Sequence, residues 1–133
     1  MKYLAGPFVL QCAWRSFLPS MYGARVVFFD TIWNSIAIAR TFATIGEITW
    51  TMQVAYALVF SNEQIFKSLK QESSKVINFI SYMGVAFIIL AEFNSDYGVI
   101  TRNYFYSTME VILWTTALAL MGLCALYLLW VAN

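Results

Sequence analysis

Three long apolar stretches, 33–60, 76–93 and 109–131, limit what this chain can fold into more than any other feature. The hydrocarbon core of a bilayer is crossed by about 20 helical residues. At about 1.5 Å per residue, the three stretches would measure roughly 42, 27 and 35 Å as helices. The first overshoots the core and should tilt or project from it, and the second barely spans. Backbone polar groups in lipid must be bonded internally, and no alternating ten-residue pattern points to a barrel. The expected fold is therefore an all-α integral membrane protein with about three transmembrane helices.

Composition supports lipid as the solvent. Of the 133 residues 61% are apolar and 11% are charged, against about 25% charged in an average soluble domain. A small soluble chain needs polar residues to cover its large relative surface, and this one has few. Eight basic and seven acidic residues leave a formal charge of +1. With no Lys/Arg run to neutralise phosphates, nucleic acid is not an expected partner. Histidine is absent, which removes the commonest metal ligand and the usual general base. Cys12 and Cys124 fall in unrelated segments without disulfide or zinc spacing. There is no phosphate-binding glycine loop, nucleophile elbow or C-x-x-C. No catalytic residue, metal or cofactor is assigned, and bound lipid is the ligand expected.

Two regions follow: an interfacial or partner-binding arm over 1–29 and a helical membrane domain over 30–133. In the arm, Pro7, Pro19 and Gly23 should break any continuous span, and Arg15 and Arg25 would be expensive at bilayer depth. Phe8, Trp14, Phe17, Phe28 and Phe29 are nonetheless too apolar for a free tail. Lys2 precedes a short apolar run, but Gly6 and Pro7 interrupt it and no cleavage pattern follows, so it reads as mature chain. Asp30 is placed to cap the first helix. Ser61 with Gln64, and Ser107 with Glu110, have capping-box spacing. Segment 63–75, with Glu63 and Lys67 at i,i+4, reads as a short interfacial helix, and 94–106 as a loop. Lys2, Arg15, Arg25 and Arg102 on one side face Lys67, Lys70 and Lys75 on the other, which leaves sidedness open.

The most informative polar feature lies in the first span. At about 100° per residue, Thr44, Glu47 and Thr51 fall about 40°, −20° and 20° from Arg40. A charge in mid-bilayer costs about 2.5–3.5 kcal/mol on insertion scales, so this stripe must face protein or water. Arg40 and Glu47 are about 10.5 Å apart in rise, too far for easy direct contact. Antiparallel threading brings Glu92 and Glu110 to the depth of Arg40 as candidate charge partners, with Asp96 and Arg102 just outside. Arg40 with Glu47, Glu92 and Glu110 would sum to −2, an imbalance that a proton, a cation or a basic partner would have to correct. The stripe serves either helix pairing or an ion path, and pairing is the preferred reading. Ser35, Ala39 and Ala43, with Gly46 nearby, supply a small-residue face for close helix approach. Trp33, Trp130 and Tyr104–Phe105–Tyr106 suit interfacial belts. Trp50 and Trp114 are expected to fill packing contacts.

These features point to a structural or accessory subunit of a multisubunit membrane complex. By analogy of class, the favoured setting is a respiratory assembly of the mitochondrial inner membrane. Its partners would be membrane lipids and other membrane subunits. The alternative is a small homo-oligomeric proton or cation transporter or channel, with Arg40, Thr44, Glu47 and Thr51 lining the path.

Overall fold

A computed structural model of the chain describes residues 2–21, 26–27, 29 and 31–133. Four helices carry the fold: α1 (Lys2–Phe17), α2 (Ile36–Ser68), α3 (Lys75–Thr101) and α4 (Tyr104–Ala132). Between α1 and α2 lie a two-residue antiparallel pair, β1 (Ser20–Met21) with β2 (Val26–Val27), and a 3-10 turn over Ile32–Asn34. The expected all-helical architecture is present.

Helices α2, α3 and α4 run up, down and up. Arg40 meets Glu92 and Asn62 meets Asn78, which fixes α2 and α3 as antiparallel. Met121 sits on Gly84, and Tyr106 and Ser107 sit on Gly98, which does the same for α3 and α4. Packing α4 uses one narrow seam, Ala117, Met121, Cys124 and Leu128, at the spacing of a single helical face. Opposite it stand Ala55 and Leu58 of α2 and Ile77 and Val85 of α3.

Helices α3 and α4 are long and apolar enough to cross a membrane, with hydropathies of 1.9 and 2.1 over their most apolar windows. Only 33% and 22% of those windows are buried, whereas a soluble core helix would be mostly enclosed. The third expected span, α2, does not pass the same test. Thr41, Thr44, Glu47, Thr49, Thr51 and Gln53 dilute its apolar character.

Helix ends differ from the sequence expectation in a consistent way. Segment 63–75 is not a separate interfacial helix, because α2 runs unbroken through it to Ser68. Ser61 therefore lies inside α2 rather than capping anything. The expected loop over 94–106 shrinks to Arg102 and Asn103, since α3 continues to Thr101 and α4 starts at Tyr104. Asn94 and Thr101, polar residues that suggested a loop, bond back to the carbonyls of Leu90 and Tyr97 in their own helix. The cap of α4 is Asn103, whose side chain accepts from the Phe105 N–H, so Ser107 and Glu110 sit within the helix. The cap of α2 is Ser35, which accepts from the Ile38 N–H. Asp30, Gly23, Arg25 and Phe28 lie outside the described residues.

The first helix is the largest departure. Pro7 lies inside α1 and removes one backbone donor, yet the helix continues to Phe17 because it has a partner surface. Residues 2–17 lie antiparallel along the first half of α2. Gln53 Nε2 donates to the Leu4 carbonyl at 2.8 Å. Phe8 stacks near Trp50, and Trp14 stacks on Phe42 with ring centroids 4.5 Å apart. Gly46 makes room for this: a Cβ there would stand 2.8 Å from the Gln11 Cβ. The small-residue face of α2 thus packs within the chain at Ala39, Ala43 and Gly46, all buried.

Candidate functional site

Glu92 is the centre of the buried polar network. It lies on α3 in a turn otherwise made of apolar and small residues, and its side chain is 1% exposed. A carboxylate at that depth is tolerated only if donors surround it. Three do, from two other helices. Arg40 Nη2 of α2 donates to Oε2 at 3.0 Å, and Thr44 Oγ1 donates to the same oxygen at 3.0 Å. Trp114 Nε1 of α4 donates to Oε1 at 3.3 Å. One side chain thereby ties α2, α3 and α4 together.

Arg40 is shared. Its Nε donates to Asp96 Oδ1 at 3.0 Å, one turn along α3 from Glu92. The Arg40 side chain is 9% exposed and that of Asp96 is 38% exposed. The same cation therefore makes one buried ion pair and one that opens to the surface. Placing both acids on one side of Arg40 requires an i,i+4 spacing on α3, which Glu92 and Asp96 have.

The expected stripe is only partly assembled. Arg40 and Thr44 both reach Glu92, so the α2 residues meet through α3 and not through each other. Glu47 neighbours Glu92, and Arg40 and Arg15 are the nearby cations. Thr51 is buried but donates to the Glu47 carbonyl of its own helix at 2.9 Å, so it takes no part in the ion network. Glu110, half-buried in the second turn of α4, acts on Arg40 at a distance. Glu92, which a span-end position would let reach the headgroups, is instead the most buried acid described.

Two members of the network had other expectations attached. Asp96 falls where the sequence suggests a loop, yet it is helical and in direct contact with Arg40. Trp114 is not simply packing material, because its indole N–H is a ligand of Glu92 while its ring lies 6.2 Å from Trp50. A signal for Asp96 was available in its i,i+4 spacing from Glu92. None was available for Trp114, whose role depends on how α4 is rotated against α3.

A second buried polar cluster closes the opposite end of the α2–α3 pair. Asn62, 0% exposed, donates through Nδ2 to the Ser74 carbonyl and to Asn78 Oδ1, both at 2.9 Å. Its Oδ1 accepts from the Ser74 N–H at 3.2 Å. Nothing in the sequence marks this cluster, because amides near a connection look like ordinary surface.

Among the described residues, no three His, Cys, Asp or Glu side chains gather to hold a metal ion. Comparison with family models, with curated proteins and with solved structures finds no match to this chain.

Proposed function

We propose that the chain is a membrane-embedded structural subunit of a larger assembly, with α2 crossing the bilayer beside α3 and α4. One contrast carries this reading. Buried Glu92 is paired with Arg40 inside the bundle, while the outward faces of α3 and α4 are mostly apolar. Phe79, Leu90, Phe93 and Ile100 on α3 and Val111, Leu123, Leu126 and Trp130 on α4 are all exposed. Scattered apolar residues on a surface need no explanation, but two helices exposed in this way suit lipid or protein neighbours.

A feature of α4 favours protein neighbours along part of that surface. Thr115, Ala119 and Gly122 share one outward stripe, and the space where a Gly122 Cβ would stand is open. Small outward residues let another helix backbone approach closely in lipid. Helix α1, bound along α2, would enter the membrane with it.

The test is native mass after mild detergent extraction, with identification of the chains that travel together. Co-migration with unrelated chains is the expected result, and it would also name the host, for which a respiratory assembly is the proposed setting. A small homo-oligomer would count against the reading. Gly122→Leu should lower the assembled fraction while leaving the chain's own thermal unfolding unchanged.

Glu47 supports a second reading, proton or cation transfer through a homo-oligomer. Two neighbouring carboxylates repel, and one proton shared between them relieves the repulsion. Proteoliposomes of the purified chain would then show flux that Glu47→Gln abolishes. Flat traces from folded protein would end that reading.

A further inference from the structure

Along the flank of the α2–α3 pair, near the end of α2, runs a groove of about 530 Å³. Tyr56, Val59 and Phe60 of α2 and Tyr82 of α3 wall it, and Glu63 lines it as its one charged member. Tyr56, Phe60 and Tyr82 are all exposed. We propose that this groove binds one choline phospholipid, its headgroup at the Glu63 end and an acyl chain along the rings. The inference rests on the membrane reading above and adds a ligand to it.

The charges stand where a zwitterionic headgroup needs them. Glu63 is two turns outward from Tyr56, and Lys75 is two turns outward from Tyr82, so each charge shares a helix face with the ring below it. Asn62 donates to the Ser74 carbonyl at 2.9 Å, which brings the neighbouring Glu63 and Lys75 to one level. Both are exposed, and among the described residues neither side chain is engaged in an ion pair or hydrogen bond. Lys75 opens α3, and Ser74 before it makes no side-chain cap bond. The ammonium and the positive end of the helix dipole together suit a phosphate.

The aromatic walls choose the amine. Ring faces attract a cation, and a quaternary ammonium suits them because it has no N–H to satisfy. A primary ammonium carries three N–H groups and would find only Glu63 as a charged acceptor in the groove. Depth agrees with this chemistry. Glu63 stands in the last two turns of α2 and Lys75 in the first turn of α3, while Tyr56 and Tyr82 lie about 10 Å farther in. Headgroup charges thus meet the polar end of the groove, and the acyl chain follows Tyr56, Val59 and Tyr82 inward.

The experiment is native mass spectrometry of the full chain released from nanodiscs of phosphatidylcholine, phosphatidylethanolamine and phosphatidylglycerol in equal parts, with the same acyl chains. One retained phosphatidylcholine per chain is expected, ahead of the other two lipids. Phe60→Leu removes a ring face and Glu63→Gln removes the counter-charge. Each should lower phosphatidylcholine retention about threefold, and the double variant about tenfold, the scale of exposed cation–π and ion-pair contacts. Phosphatidylglycerol retention and helicity should not change, since both side chains are exposed. Equal retention of the three lipids, phosphatidylethanolamine ahead of phosphatidylcholine, or a preference untouched by the double variant would each overturn the site. A chain that stays in solution without detergent would instead overturn the membrane reading beneath it.

Discussion

The two ends of the α2–α3 pair are joined by different chemistry. Near the start of α2, Arg40 holds Glu92 and Asp96 in ion pairs, with Thr44 and Trp114 completing the shell of Glu92. Near its finish, Asn62 makes neutral bonds to Ser74 and Asn78. Both clusters are buried, but removing a partner has different consequences. A broken amide cluster leaves neutral groups unpaired, whereas a broken ionic one leaves a charge in a low-dielectric interior.

Arg40→Leu should have the largest effect, about 3–5 kcal/mol, because it strands the carboxylate of Glu92. Thermal or denaturant unfolding in detergent reads this directly. The double variant Arg40→Leu/Glu92→Leu should recover more than half of the loss, since well-packed apolar groups replace a buried pair with little penalty. Failure to recover would mean that Thr44 and Trp114, and not the pair, set the cost.

Asn62→Ala comes next, at about 1–3 kcal/mol, the cost of leaving the Ser74 N–H without its partner and the Ser74 carbonyl with only the long bond from the Asn78 N–H. A loss as great as that of Arg40→Leu would break the distinction between the two ends. Asp96→Asn should be smallest, within about 1 kcal/mol, because the Asp96 half of the bridge is open to solvent and screened. Together these variants separate the burial of a charge from its mere presence: Arg40 makes both bonds, and only the one to Glu92 should weigh heavily.

Much of the architecture was legible because long apolar stretches mark helices. Three long apolar stretches became α2, α3 and α4, and antiparallel threading placed Glu92 beside Arg40. Hydropathy marks where a helix is apolar, however, not where it stops. Asn94, Asp96, Gly98 and Thr101 look like a loop, yet all four continue α3, with Asn94 and Thr101 satisfying their polar groups on their own helix. The same blindness split α2 at Ser61. Helix α1 was hidden for a different reason. Pro7 argues against a helix locally, and only the fit of Gln11, Phe8 and Trp14 against Gly46, Trp50 and Phe42 outweighs it. Trp114 could not be assigned because composition carries no information about the rotation of α4.

The two-residue link between α3 and α4 also bears on how such a chain would be made. Arg102, held in the left-handed region at φ 58°, and Asn103 are all that joins the two helices. A connection that short leaves neither helix free to partition on its own during synthesis. On the membrane reading proposed above, the pair would enter the bilayer as a preformed hairpin, its insertion energy summed over both members. A charge added to the outward face of α4 would therefore be felt by α3 as well, and would appear as failed biogenesis of both and not as local instability of one.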